Sequence, residues 1–465
     1  MKTYNDRTKS NAVNMEVGTR FPLTIKQIGI NGEGIGYYKH KIVFIPNALP
    51  EELVTAEATE VTDRYIRAKI HTMRRESQHR VPTRDSYAEE VGGFELEHLS
   101  YPQQLKFKRD LVMQSLEKFK PRGYNKYQIR ATLGMENPYE YRNKAQFQIR
   151  IIDGHVAAGL FKPGSHDLVD LEECSVQMPA TMKVMRALVQ MIEDLEIPVY
   201  DEEANSGIIK TIAVRVANET GNVQVTFITN SPKLPKKRDL LARMAEELPE
   251  VTSIMQNINK GKDPLIWGDE TVHLSGSTAI TEKIGDLQFR LSARAFLQLN
   301  PQQTDVLYAE TKHALRVNKH DTLVDAYAGI GTIGLSLATK VKQVVGMEVI
   351  EDAVKDANFN AALNGIDNAQ YEVGTAEEIM PKWLEQGLQV DAMVVDPPRA
   401  GLDEKLMEQI LLADPEKFVY VSCNPSTLAR DLVTLTERYN VEYMQPVDMM
   451  PQTPKCEVVV KLVRN

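Results

Sequence analysis

Residues 322–340 read TLVDAYAGIGTIGLSLATK, and this stretch decides the fold. TLVDA is a short apolar run of strand length. Gly329 and Gly331 break it, and TIGLSLATK then reads as a helix. The alternation continues downstream. QVVGME (343–348) is a strand and IEDAVKDANFNAALNG (350–365) a helix. A strand near 371–373, DAMVVD (391–396) and KFVYVS (417–422) follow, with helices in EKLMEQILLA (404–413) and PSTLARDLVTLTERY (425–439). This pattern predicts an α/β domain with a doubly wound, Rossmann-like sheet. Ligands in such sheets lie beyond the carboxyl ends of the strands.

Upstream the texture differs. Residues 18–73 hold short strands with tight turns, such as FPLTIKQIGI and KIVFI, separated by NGEGIG and a proline-bounded loop. So many short strands in so little chain predict a small β-barrel of the oligonucleotide-binding type. A helical stripe (Leu105, Val112, Leu116, Phe119) runs through 101–119. Residues 128–292 mix β-rich runs (QFQIRIID, IAVRVA, VQVTFIT) with helical ones, an α+β middle domain. The expected division is a barrel over 1–75, a middle domain over 96–292, and a third domain from 76–95 with 293–465. No internal repeat is evident.

The 465 residues carry a net charge of -9, which by itself speaks against a polyanion partner. The charge is uneven, however: residues 1–150 hold 25 Lys and Arg against 18 Asp and Glu, the remainder 30 against 46. A basic front on an acidic body suits a protein that grips nucleic acid with one part. The run from Tyr65 to Arg84 includes Arg67, Arg74 and Arg75, placed to follow a phosphate backbone or simply to solvate a face. The first residues, MKTYNDRTKSNAVNM, are polar and read as a disordered leader, not a secretory signal. No apolar run is long enough for a membrane helix. Three cysteines exclude a disulfide scaffold and suit a reducing cytoplasm.

Four places carry chemistry. In the first, Tyr327, Gly329, Gly331 and Thr332 open a helix at a strand end, and Glu348 closes the next strand. Glycines let a ligand lie against backbone, and the acid would accept ribose hydroxyls. A dinucleotide or S-adenosylmethionine would fit, and so would an ordinary turn with no ligand. In the second, Asp396-Pro397-Pro398-Arg399 is a stiff turn at a strand end. Amino-methylases place an aromatic residue where Arg399 stands, so an exocyclic amine is a poor target; Asp396 would instead accept the N3–H of uracil. In the third, Cys423 of VSCNP follows a strand and precedes a helix, whose dipole would favour thiolate. In the fourth, Glu457 near the last strand is a candidate base, while the adjacent Cys456 reads as packing. A thiolate, a base and a methyl donor define a reaction class. Thiolate addition at C6 of uracil makes C5 nucleophilic, and a base then removes the C5 proton.

These residues resemble the bacterial RNA (uracil-5-)-methyltransferases, in particular the 23S rRNA branch, from about residue 15 onward. Residues 18–73 resemble the family's TRAM domain. YRNKAQFQI (141–149) and GLFKPGSHDLVDLEEC (159–174) resemble its middle domain, and SARAFLQLN (292–300) resembles the start of its catalytic domain. The resemblance implies that Gln298, Tyr327, Glu348, Thr375 and Asp396, with the glycine loop, contact S-adenosylmethionine or the target base. It implies Cys423 as nucleophile, Glu457 as base, and Arg142 and Lys144 as RNA contacts beside Arg67, Arg74 and Arg75. Many 23S members bind an iron–sulfur cluster through C-x5-C-G-G-C. Here Asp85, Val91 and Phe94 occupy those positions and only Cys174 remains. One thiolate cannot hold such a cluster, so none is expected, and packing by Val91 and Phe94 would replace it. Cluster-free members of the branch exist, some modifying two uridines. The expected partner is 23S rRNA or an assembly intermediate and the expected state a monomer; the rival readings are the same chemistry on tRNA, or an RNA-binding ribosome assembly factor with a vestigial site.

Overall fold

The structure is a computed structural model that describes residues 15–262 and 265–465; nearly all of the expected leader lies outside them. The chain forms two compact units.

The first unit spans residues up to Glu89, with Gly93–Phe107 and Gln452–Pro454. Its six strands are β1 (Arg20–Thr24), β2 (Gln27–Ile28), β3 (Gly34–Tyr38), β4 (Lys41–Ile45), β5 (Leu53–Val61) and β6 (Tyr65–Arg75). They form one sheet in the order β1-β5-β6-β4-β3-β2. Alternate residues turn inward, as the period of two requires, so Val54, Ala56 and Ala58 of β5 meet Ile66 and Ala68 of β6 in the core. Residues 76–89, expected with the third domain, group with this barrel. The physical tie is Arg80, whose guanidinium pairs at 2.7 Å with the fully buried Glu52.

The second unit holds two seven-stranded sheets and a two-stranded one among the described residues. Helix α1 (Tyr101–Phe119) leads into β7 (Lys144–Ile152), β8 (His155–Phe161), β9 (Leu168–Asp170), α2 (Pro179–Asp194), β10 (Ile209–Val216), β11 (Val223–Thr229), α3 (Lys237–Glu247), β12 (Val251–Ile258) and β13 (Glu270–Gly276). These strands form a seven-stranded sheet, β13-β12-β11-β10-β7-β8-β9. Although α1 was expected in the middle domain, its Leu111, Val112 and Leu116 lie in the core of the following α/β sheet. A hairpin, β14 (Ile280–Ile284) and β15 (Leu287–Leu291), then precedes α4 (Pro301–Leu315).

The α/β sheet is built from β16 (Thr322–Ala326), α5 (Thr332–Ala338), β17 (Gln343–Glu348), α6 (Glu351–Leu363), β18 (Ala369–Val373), α7 (Ala376–Glu385), β19 (Ala392–Val395), α8 (Glu404–Ala413), β20 (Lys417–Ser422), α9 (Pro425–Leu435), β21 (Tyr439–Val447) and β22 (Glu457–Arg464). The order is β18-β17-β16-β19-β20-β22-β21. The first five are parallel, and β22 pairs antiparallel with both β20 and β21. The winding reverses beside β16, which opens a crevice between the ends of β16 and β19. None of the described helices is long and apolar enough to cross a membrane.

Candidate active site

The glycine loop after β16 is shaped by close contacts. A Cβ on Gly334 would lie 2.7 Å from both Asp325 Oδ2 and the Tyr371 hydroxyl, so only glycine lets α5 settle this deep. Asp325 Oδ2 accepts from the Gly334 amide at 2.8 Å. Gly331, at φ 82°, turns the chain into α5. Tyr327 adopts φ 63°, a left-handed conformation uncommon for a large side chain and typical of functional loops. Its hydroxyl donates to Glu377 at 3.2 Å. Thr332 shares a 2.9 Å hydrogen bond with the buried Tyr308 hydroxyl.

Glu348 ends β17 facing this loop. One oxygen accepts from the Gly329 amide and the other from the Ile350 amide, each at 3.0 Å. A carboxylate has about four lone-pair positions, so ribose hydroxyls still find acceptors. Ile350 and Val373 are about half exposed just past Glu348 and at the end of β18, an apolar rim beside the polar carboxylate. Thr375 stands at the N-cap of α7, one residue past Gly374, whose amide bonds the Glu348 carbonyl at 3.0 Å. A donor set with backbone amides, an acid and an apolar rim fits an adenosine-bearing ligand. Gln298 lies elsewhere in the lining: with Asn143, Glu282, Thr304 and Asp305 it borders a cavity of about 20 Å³, and no glycine-loop residue borders that cavity.

Sheet register assembles the reactive groups. The β20–β22 ladder ends with Ser422 opposite Val458, which leaves Cys423 just past β20 and Glu457 at the start of β22, where its charge acts on the thiol. Asp396 follows β19, the neighbour of β20. The two turns are tied: Asn424 Nδ2 donates to the Arg399 carbonyl at 3.0 Å while Asn424 Oδ1 caps α9 through the Ser426 amide at 3.1 Å. Burial pushes the Asp396 carboxyl up to about 7. Burial and the neighbouring Asp396 push Glu457 up to about 8, against the pull of Arg399 and Lys108.

One expectation is overturned here. The helix position of Cys423 was expected to favour thiolate. Burial, followed by Glu457 and Asp396, instead pushes the thiol up to about 12, and only Arg399 opposes them appreciably among side chains. A helix dipole contributes about 0.3–1 kcal/mol at such a site; desolvation beside two carboxyls outweighs it. The free protein therefore holds Cys423 as a thiol at neutral pH. Cys456 is buried before β22.

The expected RNA contacts fall into two groups. Arg67, Arg74 and Arg75 are exposed on β6, but Arg67 already pairs with Glu60 at 3.2 Å and Arg74 donates to Thr55 at 2.7 Å. Lys144 pairs across the sheet with Arg215. Burial and that cation pull its ammonium down to about 6, which disfavours the charged form. Arg142 Nε is buried with no acceptor among the described residues. At the cluster positions Asp85, Val91, Phe94 and Cys174 are all buried. No group of three or more His, Cys, Asp or Glu among the described residues is placed to hold a metal. Tyr308 and the buried Lys108 were not singled out from sequence as part of the site, whereas Asp325 heads the glycine-loop stretch read there. The signal of the first two, a polar residue inside an apolar stripe, is ambiguous without the fold.

Residues 270–465 match the tRNA (Uracil-5-)-methyltransferase family and residues 15–71 the TRAM domain. A protein of Lactiplantibacillus plantarum described as an uncharacterized RNA methyltransferase is 60% identical, covering 100% of this chain and 98% of the relative. One from Enterococcus faecalis, described in the same words, is 53% identical over 96% of this chain and 98% of the relative. The structure of Pyrococcus abyssi tRNA (uracil-54, C5)-methyltransferase with S-adenosyl-L-homocysteine is 26% identical, with a TM-score of 0.76 over 95% of this chain and 100% of that one. The chain belongs to the TRAM-bearing, S-adenosylmethionine-dependent RNA (uracil-5-)-methyltransferase family.

Proposed function

We propose that this enzyme methylates carbon 5 of uridine in 23S rRNA, at one or two positions, through a covalent adduct on Cys423. The observation that supports the reading is the strand order and register that bring the ends of β19 and β20 and the start of β22, with Asp396, Cys423 and Glu457, to the sheet edge that carries the glycine loop. The donor would be held by Tyr327, Gly329, Gly331, Thr332, Glu348 and Thr375, and when bound it supplies a methyl group on a sulfonium sulfur. The target uridine leaves its stack to reach this edge. Asp396 accepts the N3–H of the ring. Cys423 must ionise before it adds, with Arg399 as the facing cation. Its sulfur bonds C6, and the C5–C6 π electrons move toward the C4 carbonyl, leaving C5 nucleophilic. Once C5 carries the methyl group, Glu457 takes the C5 proton, the ring double bond re-forms and the C6–S bond breaks. Arg142 and Lys144, with Arg67, Arg74 and Arg75, would contact RNA phosphates.

The motif order favours 23S rRNA, while likeness to a tRNA methyltransferase favours tRNA as the second reading. RNA carrying 5-fluorouridine separates them, because fluorine at C5 cannot leave as a proton. Protein, S-adenosylmethionine and fluorouridine-substituted 23S fragments or tRNA are run on a denaturing gel. A Cys423-dependent, donor-dependent band with 23S fragments is expected. A band with tRNA alone would overturn the substrate and keep the chemistry; no band with either, despite donor binding, would overturn the covalent mechanism.

A further inference from the structure

The turn that follows β19 is gripped by α9, through side chains that the reaction as described does not use. Asn424 Nδ2 holds the Arg399 carbonyl at 3.0 Å, and the Thr427 hydroxyl lies 3.3 Å from the same oxygen. One helical turn further on, Arg430 Nη2 donates to the Ala400 carbonyl at 2.8 Å, and Asp431 Oδ2 accepts from the Leu402 amide at 2.8 Å. Arg430 and Asp431 also pair with each other at 2.7 Å. Adjacent residues on a helix do not ordinarily face each other; here both reach toward one stretch of loop. Asp431 is 0% exposed and accepts from the Tyr420 hydroxyl at 2.8 Å, which anchors the pair to β20. A Cβ on Gly401, at φ 81°, would lie 2.5 Å from Asp431 Oδ2 and 2.7 Å from Arg430 Nη2, so the loop seats on the pair with no room for a side chain.

We infer that Arg430 and Asp431 are positioning residues that clamp the Asp396–Leu402 turn to α9, and so fix the spacing between Asp396 and Cys423. The inference rests on Cys423 as the nucleophile and Asp396 as the acceptor of the ring N3–H. Both ends of the clamp carry reactive groups. Cys423 directly precedes Asn424, the N-cap of α9. Asp396 opens the gripped turn, and Pro397 and Pro398 stiffen the chain between it and Arg399. A hold on residues 399–402 is therefore passed back to Asp396. Positions 3 and 6 lie across the uracil ring from each other. A ring held at N3 presents C6 to the sulfur only if the two turns keep the spacing that the ring demands. Bond formation depends steeply on such near-attack geometry, and donor binding at the glycine loop does not depend on it.

The test uses the full-length enzyme, S-adenosylmethionine and fluorouridine-substituted transcripts (23S fragments and tRNA), reading the rate of adduct formation against RNA concentration. Arg430 is exposed, so Arg430→Ala should fold and melt close to wild type. Its maximal rate of adduct formation is expected to fall about tenfold or more. The half-saturating RNA concentration and the calorimetric affinity for S-adenosylmethionine should keep their wild-type values. Arg430→Lys, which retains a cationic donor for the Ala400 carbonyl, should recover most of the lost rate. Gly401→Ala lifts the turn from the other side and should show the same split. Because both changes break one contact, the double variant should be no slower than the slower single variant. If Gly401→Ala does not fold, the two Arg430 variants decide. A wild-type maximal rate in Arg430→Ala, or a loss confined to RNA or donor affinity, or no recovery in Arg430→Lys, would overturn the inference and leave a structural brace. Cys423→Ala separates the two levels. An adduct that survives in that variant, or none with the wild-type enzyme, overturns the nucleophile itself. An adduct lost there but formed at the wild-type rate in Arg430→Ala overturns only the clamp.

Discussion

Asp325 offers the sharpest quantitative test of how this sheet edge is built. It is 2% exposed at the end of β16, and its Oδ2 accepts from the Gly334 amide at 2.8 Å. Burial, followed by Asp396 and Glu348, pushes its carboxyl from 3.8 up to about 7. A folded-state value above the unfolded one stabilises fully below about 4, and that contribution is lost as pH rises through about 7. At roughly 1.36 kcal/mol per unit the shift amounts to about 4 kcal/mol. Asp325→Asn keeps the acceptor and removes the charge. Exchanging an ionic hydrogen bond for a neutral one costs about 1 kcal/mol, leaving a gain of about 3 kcal/mol at pH 9. For a cooperative unit the size of the methyltransferase sheet this is about 6–12 °C in melting temperature. At pH 5, where the wild-type carboxyl holds its proton, the variant should melt within a few degrees of wild type. Melting curves of the full-length protein at both pH values test this. An equal change at both, or destabilisation at pH 9, would refute the reasoning by showing that Asp325 is not held protonated by its surroundings.

Gly334→Ala inserts a Cβ 2.7 Å from Asp325 Oδ2 and the Tyr371 hydroxyl. Overpacking of this kind costs about 1–3 kcal/mol, and the displaced loop should weaken S-adenosylmethionine binding in calorimetry more than tenfold. Asn424→Ala removes an N-cap and the tie to the Arg399 carbonyl. A loss of about 1 kcal/mol in stability is expected, with a larger fall in the rate of adduct formation on fluorouridine RNA than melting alone would explain. Arg80→Ala strands the buried Glu52 carboxylate, which its hydrogen bond and charge help hold below the ordinary range despite burial. That should cost about 3–5 kcal/mol at neutral pH. A lowered carboxyl contributes above its unfolded value and loses that contribution as pH falls through the folded one, so chemical-denaturation curves should show the deficit shrinking in acid.

Much of the fold was legible because periodicity reports local burial. EKLMEQILLA and KFVYVS became α8 and β20 at the expected bounds, and α1 spans the expected stripe. What was missed follows from nonlocal packing. AEEIMPKWLE carries Pro381 and was not read as a helix, yet it forms α7, with Ile379 and Met380 buried against the sheet. The run Tyr65–Arg84 was read by charge, but only β5 alongside β6 supplies the Glu57 and Glu60 that offset Lys69 and Arg67.

The sequence by itself determined the alternation of strands and helices, the glycine loop, and the reactive residue types at the ends of β19 and β20. These depend on short-range pattern and backbone chemistry. Tertiary structure alone decided that Cys423 and Glu457 come to one sheet edge, because antiparallel β22 inserts between β20 and β21 and its register joins residues far apart in the chain. It also decided the protonation states. A thiol beside a helix N-terminus suggested thiolate, but desolvation and two carboxyls leave it protonated. Packing likewise buries Lys108 of α1 with Asp448. Charge and solvation are properties of assembled surroundings, and a linear pattern records only the groups that can carry them.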